Sequence, residues 1–200
     1  MDDEKTWILQ AQQGSDEAFT TLVETYEKPV YNLCYRMLGT AELAEDAAQE
    51  TFLRVYQKLN RYDINRSFAT WLLSIAAHYC IDQLRRKKLS TFSMHDDEGD
   101  PLEILPDTSA VHPEKEIIRG DQREHIQKLM QSLSETDRAA IVLRYWHDYS
   151  EVEIAETLSL TVSAVKSRLH RSRKKLGDLW QDESEQTPNV ERMPYGSPAF

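Results

Sequence analysis

Between Ser163 and Leu176 the chain carries six lysines or arginines and no acid. At helical spacing the segment divides into two stripes. Val162, Val165, Leu169 and Leu176 recur on one side, and Ser163, Lys166, Ser167, His170, Arg171 and Lys174 on the other. A helix divided this way can seat its apolar side in a core and lay the other in the major groove of a duplex. Lys166 and Arg171 are then candidates for guanine edges, Ser167 and His170 for shorter polar contacts, and Arg168, Arg173 and Lys175 for backbone phosphates. The chemistry suggested is recognition of nucleic acid, not bond making.

Other reactive residues form no constellation. The six histidines, His78, His95, His112, His125, His147 and His170, show no paired ligand spacing, and no glycine-rich phosphate loop or nucleophile elbow occurs. Cys34 and Cys80 are not in a CxxC pair and are expected as core thiols. Neither a catalytic residue, a metal site nor a cofactor is expected. A second basic run, Arg85, Arg86, Lys87 and Lys88, adds another candidate phosphate contact.

The formal charge of -10 argues against a nucleic-acid partner until its distribution is considered. Residues 91–116 hold eight acids against the single Lys115, and residues 1–60 hold eleven against five basic residues. This sorting points to separate surfaces for DNA and for a basic partner.

The elements that must position these groups read as helices throughout. Ser15 can cap a helix with Ala18, Phe19, Leu22, Val23 and Tyr26 inside. Pro29 fits near the start of the next, which carries Val30, Leu33, Cys34, Met37 and Leu38 up to Gly39. Thr40 can cap a helix that buries Leu43, Ala44, Ala47, Phe52, Val55 and Leu59 and leaves Asp46, Gln49 and Glu50 outside. After a loop from Asn60 to Arg66, Phe68, Trp71, Leu72, Ile75 and Leu84 mark another. Near Leu89 the period collapses into a proline-bearing acidic stretch, read as a flexible linker. Periodicity resumes at Ile118 and runs through Ile126, Met130, Leu133, Ala139, Val142, Leu143 and Trp146.

Ser150 and Glu153 form a capping-box pattern ahead of Ile154, Ala155 and Leu158, and Ser159 to Thr161 make a short turn into the basic helix. Together these are a helix-turn-helix. Glycine is common where Ser159 stands, so a left-handed backbone there would carry modest strain. The fold class expected is all-α: two small helical domains, 1–89 and 114–181, joined by a flexible linker at 90–113 and followed by a disordered tail at 182–200. The apolar runs are too short to span a bilayer and the acidic start MDDEKTW is unlike a signal peptide, so no membrane insertion and a cytoplasmic address are expected.

Taken in order, AEDAAQETFLRVYQKL, FATWLLSIAAHYCIDQLRRKK and SEVEIAETLSLTVSAVKSRLHRSRKKL resemble the bacterial sigma factor family, extracytoplasmic-function (ECF) subgroup, over roughly residues 5–180. The resemblance implies a promoter-melting region two and a region four that reads the minus-thirty-five element through Ser163, Lys166, Ser167, Arg168, His170, Arg171, Arg173 and Lys174. It implies that Asp46, Gln49 and Glu50, with Phe52 and Leu53, meet the coiled coil of the polymerase beta-prime subunit, and that region four meets the beta flap. Asn60, Tyr62, Asp63 and His78 match the part that captures an unpaired minus-ten base, with Arg85, Arg86, Lys87 and Lys88 on promoter phosphates. The subgroup often has asparagine where this chain has His78. An anti-sigma partner is implied as well. A free-standing helix-turn-helix regulator is the competing reading of the last motif, distinguished by whether DNA is bound tightly without polymerase.

Overall fold

The computed structural model describes residues 2–93 and 125–186, and among them every regular element is helical. The first unit holds α1 (Asp2–Gln12), α2 (Asp16–Leu38), α3 (Ala41–Lys58), a single 3-10 turn (Leu59–Arg61) and α4 (Phe68–Ser93). The second holds helical backbone over 125–131, called α5, then α6 (Glu135–Trp146), α7 (Glu151–Leu158) and α8 (Val162–Gln186).

Local chemistry sets most of the boundaries. The Ser15 hydroxyl accepts from the Ala18 amide at 3.3 Å and starts α2; Gly39, at φ 96°, ends it in the left-handed conformation with its N–H on the Tyr35 carbonyl. Thr40 caps α3 through the Leu43 amide at 3.3 Å, and Ser134 caps α6 through the Asp137 amide at 3.2 Å. The expected break at Pro29 does not occur: α2 runs straight through it. Ala18, Leu22, Val30, Leu33, Cys34 and Met37 are buried along one continuous stripe, so tertiary packing outweighs the hydrogen bond that proline cannot make.

The stripe of α3 is built from small residues, Ala44, Ala47, Ala48 and Thr51, which let α2 and α3 approach closely. Leu43, expected inside, is 41% exposed, because that narrow stripe turns the adjoining position outward. Each large side chain fully buried here, such as Leu22, Leu33 or Leu72, contributes about 1.5–3 kcal/mol.

Two elements outrun the sequence expectation. α4 continues to Ser93, past the boundary expected at 89, and α8 continues to Gln186, past the tail boundary at 182. The α4 extension, Ser90 to Ser93, and the α8 extension, Asp182 to Gln186, are short and mostly polar, and so hydrophobic periodicity does not register them. The rest of the expected linker, Ile118 and the last part of the tail lie outside the described residues.

The two units touch. α6 packs on α2 and α4, α7 packs on α4, and the buried apolar residues of both units form one cluster from Ile8 to Leu169.

Candidate nucleic-acid interface

The helix-turn-helix is assembled from its caps. The Ser150 hydroxyl accepts from the Glu153 amide at 3.3 Å while the Glu153 carboxylate takes the Ser150 amide at 2.8 Å. The Ser150 hydroxyl and amide hold the Glu153 carboxyl below the usual carboxylate range. α7 ends at Ser159, whose φ of 55° and ψ of 44° are left-handed, and the Leu160 amide returns to the Ala155 carbonyl at 2.9 Å. The Thr161 hydroxyl then accepts from the Ala164 amide at 3.2 Å and opens α8.

Replacing Ser159 with glycine is expected to stabilise this unit by about 0.5–1 kcal/mol, since the side chain is exposed and the backbone already occupies glycine's favoured region. Thermal unfolding of the two chains checks it; a lower midpoint for the glycine variant would contradict the strain argument.

α8 presents the divided face. Val165 and Leu169 are buried and Val162 and Leu176 pack against the core, while Ser163, Lys166, Ser167, His170, Arg171, Arg173 and Lys174 are exposed. Some of these groups already have partners. The Ser167 hydroxyl donates to the Ser163 carbonyl at 3.0 Å, and Lys166 lies 3.8 Å from the Glu151 carboxylate. Arg168 is more committed: its guanidinium is half-buried and donates to Asp137 at 2.7 Å, tying α8 to α6. In this arrangement that cation holds the domain together.

In the first unit Asn60, Asp63, His78, Arg85, Arg86, Lys87 and Lys88 are exposed. Asp63 accepts from the Asn65 amide at 3.0 Å and so shapes the loop before α4, while His78 Nδ1 faces the Ser74 carbonyl at 2.7 Å. Tyr62, expected at the loop surface, is instead 7% exposed. Its ring packs on Trp71 at 4.7 Å and Phe68 at 5.4 Å, and its hydroxyl donates to the Arg66 carbonyl. Burial, with Glu4 and Asp63 nearby, pushes the phenol up to about 12. Hydrophobic gain from the aromatic cluster outweighs exposure of the ring to a base.

On α3, Asp46 and Gln49 are exposed, and Glu50 is half-buried and accepts from Arg54 at 2.7 Å. Phe52 and Leu53 part company: Phe52 packs on the core and Leu53 is 51% exposed.

One surface was not legible in sequence. An apolar groove of about 390 Å³ lies among α5, α6 and α8, lined by Leu129, Met130, Tyr145, Trp146, Leu176 and Trp180, with Arg173 beside it. Tyr145 and Trp180, which the periodicity does not single out, are each half-exposed. Their large rings near helix ends are the only available signal.

A capped helix-turn-helix, an exposed basic stripe on α8, a second basic helix end and a separate acidic face on α3 together have the architecture of a DNA-binding factor. The comparisons agree. The models for Sigma-70 region 2 and Sigma-70, region 4 match residues 22–89 and 123–176. ECF RNA polymerase sigma factor SigW of Bacillus subtilis is 38% identical over 181 residues, covering 89% of this chain and 97% of that protein. SigX of the same organism is 31% identical, covering 80% and 82%. Among solved structures, CnrH in complex with the cytosolic domain of CnrY shares the fold, with a TM-score of 0.68 at 23% identity over 90% of this chain and 99% of that one. The sigma factor RpoE of Bartonella quintana, in complex with the anti-sigma factor NepR, gives 0.61 at 18% identity over 82% and 96%.

The chain belongs to the sigma-70 family, among the ECF RNA polymerase sigma factors. It is an alternative sigma factor that directs promoter-specific transcription initiation.

Proposed function

We propose that α8 reads the minus-thirty-five element, with Arg171 and Lys166 on base edges, Ser163, Ser167 and His170 as shorter polar contacts, and Arg173 and Lys174 on phosphates. The observation that carries this reading is the clean separation on α8 of buried Val165 and Leu169 from an exposed basic stripe. Arg168 is the one expected contact we assign mainly to the fold, because of its ion pair with Asp137.

In region two, Asn60, Asp63 and His78 are the groups available to an unpaired minus-ten base, and Arg85 to Lys88 to phosphates. Tyr62 supports that loop from beneath. Histidine at 78 offers one ring nitrogen where an asparagine would offer an amide, so the base preference is expected to differ from that of relatives with asparagine. Asp46, Gln49, Glu50 and Leu53 form an acidic surface with an apolar centre suited to a basic coiled coil, assigned here to polymerase beta-prime. The groove beside Trp146 and Trp180 is assigned to an apolar segment of the beta flap. CnrH and RpoE were each captured with another protein, and RpoE's is an anti-sigma factor; we assign this chain the same kind of control, exercised in the cytoplasm where polymerase works.

Purified chain added to sigma-free core polymerase on fragmented genomic DNA is expected to yield discrete start sites preceded by two shared sequence elements. Absence of core binding at low salt overturns the reading. Tight specific duplex binding without polymerase, unchanged by deleting residues 1–90, would favour a free-standing regulator instead.

A further inference from the structure

One side chain of α1 reaches the segment that carries the minus-ten candidates. Gln12 Nε2 donates to the Leu59 carbonyl and to the Tyr62 carbonyl, each at 2.9 Å, across forty-seven and fifty positions of sequence. A side-chain amide nitrogen carries two hydrogens, and here both go to the two ends of one 3-10 turn. The Leu59 carbonyl also takes the Tyr62 amide at 3.0 Å, so both of its lone pairs are occupied. Gln12 is itself held in place. Ile8 is buried, Trp7 packs on the core, and the Tyr26 hydroxyl donates to Glu4, which docks α1 on α2. At the end of α1 the Ser15 amide returns to the Gln10 carbonyl and the Gly14 amide to the Ala11 carbonyl, each at 3.0 Å, with Gly14 left-handed at φ 94°.

We infer that Gln12 is a positioning residue for minus-ten capture, fixing the turn between Leu59 and Tyr62 so that the Asn60 amide and the Asp63 N–H meet the unpaired base in a set geometry. The inference rests on the minus-ten reading above. It adds to that reading a helix, α1, that lies ahead of residue 22, where the region-two match begins. Asn60 and Asp63 are exposed, one on the turn and the other just after it. In a trans peptide the N–H points opposite to the C=O, so with the Tyr62 carbonyl turned to Gln12 the Asp63 N–H is turned away from it. No acceptor for that N–H occurs among the described residues, which leaves it, like the Asn60 amide, for a base edge.

The rest of the loop is held from other directions. The Tyr62 ring is enclosed by Phe68 and Trp71, its hydroxyl donates to the Arg66 carbonyl, and the Asp63 carboxylate accepts from the Asn65 amide. These contacts fix the stretch that leads into α4. The peptide between Tyr62 and Asp63 depends on Gln12, because without it the Tyr62 carbonyl loses the donor that orients it and the Leu59 carbonyl keeps one partner in place of two. A turn free to sample other peptide orientations must be ordered each time a base is captured, and that cost is read as weaker and less selective binding. Gln12 is half-buried behind the turn and acts through these groups.

The test uses holoenzyme and a labelled, partly single-stranded promoter fragment from a start site mapped with core polymerase, with an abasic site placed at each minus-ten position in turn. Fluorescence anisotropy is expected to show that the parent loses most affinity at the positions of captured bases. Gln12→Met, which keeps the stem and removes both donors, should bind the intact fragment about tenfold more weakly and lose little more when those positions are made abasic. Base changes in the minus-thirty-five element should cost both proteins the same. Gln12→Ala, small and helix-favouring, should behave like Gln12→Met, and circular dichroism establishes that each is folded at the assay temperature. In an Asn60→Ala background Gln12→Met should cost clearly less than it does alone, a coupling that a purely structural amide would not show. An unchanged abasic pattern in both Gln12 variants, costs that simply add to that of Asn60→Ala, or loss of folding in both variants overturns the inference while the minus-ten reading stands. A parent insensitive to every abasic site overturns the minus-ten reading itself, and the inference with it.

Discussion

Holoenzyme carrying Arg171→Ala is expected to bind its promoter roughly five- to 150-fold more weakly, a loss of about 1–3 kcal/mol, and to tolerate base changes at one position of the minus-thirty-five element that the parent rejects. Arg171 is exposed on the third turn of α8, on the same face as Ser167 and Lys174, and its planar guanidinium can make two parallel bonds to a guanine edge. Lys87→Ala on α4 is the control. A lysine on phosphate carries no sequence information, so binding should weaken evenly across promoter variants and the salt dependence should become shallower by about one unit. Filter binding or fluorescence anisotropy against a panel of single-base promoter variants reads both effects. Equal losses on all sequences for both proteins would show that Arg171 holds backbone and that base reading lies elsewhere.

The second large effect is on stability. Leu143 is fully buried at the centre of α6, in the cluster that supports α7 and α8. Leu143→Ala removes apolar contact and leaves a cavity, at a cost of about 2–5 kcal/mol. For a small helical unit that is a drop on the order of 10 °C or more in its melting transition. Leu143→Met, similar in volume, should lose under about 1.5 kcal/mol. Circular dichroism melts of the full chains measure the difference. Because α3 belongs to the other unit, the alanine variant is expected to retain capture of core polymerase at low temperature while losing promoter discrimination on warming. If alanine and methionine melt alike, α6 is not packed as described.

Much of the helix-turn-helix was legible because its determinants are local. Ser150 and Glu153, three residues apart, cap α7 as their spacing suggests; Thr161 caps α8; Ser159 takes the left-handed conformation in the glycine position; and Val165 and Leu169 turn inward while Lys166 and Arg171 turn out. Each of these outcomes depends on atoms within one or two helical turns. Residues whose fate depends on distant contacts were misplaced. Tyr62 looked like a loop aromatic until Phe68 and Trp71 enclosed it, Leu43 shared the period of α3 but not its narrow stripe, and Pro29 looked like a boundary until the stripe of α2 ran past it.

Arg138 left a trace in the sequence, a charge just ahead of Ala139, Val142 and Leu143 on the apolar side of α6, but its purpose is set by Met37, a hundred and one positions away. The pairing of Arg168 with Asp137 is similar in kind. What the sequence alone determined was therefore the helices, their caps, the reading face and the sorting of charge, all products of short-range bonding and periodicity. Only tertiary structure decided which exposed-looking groups are buried, which cations are already paired and how region four rests on region two. Those outcomes depend on desolvation and on partners that chain folding brings together, and neither quantity is encoded in any local window.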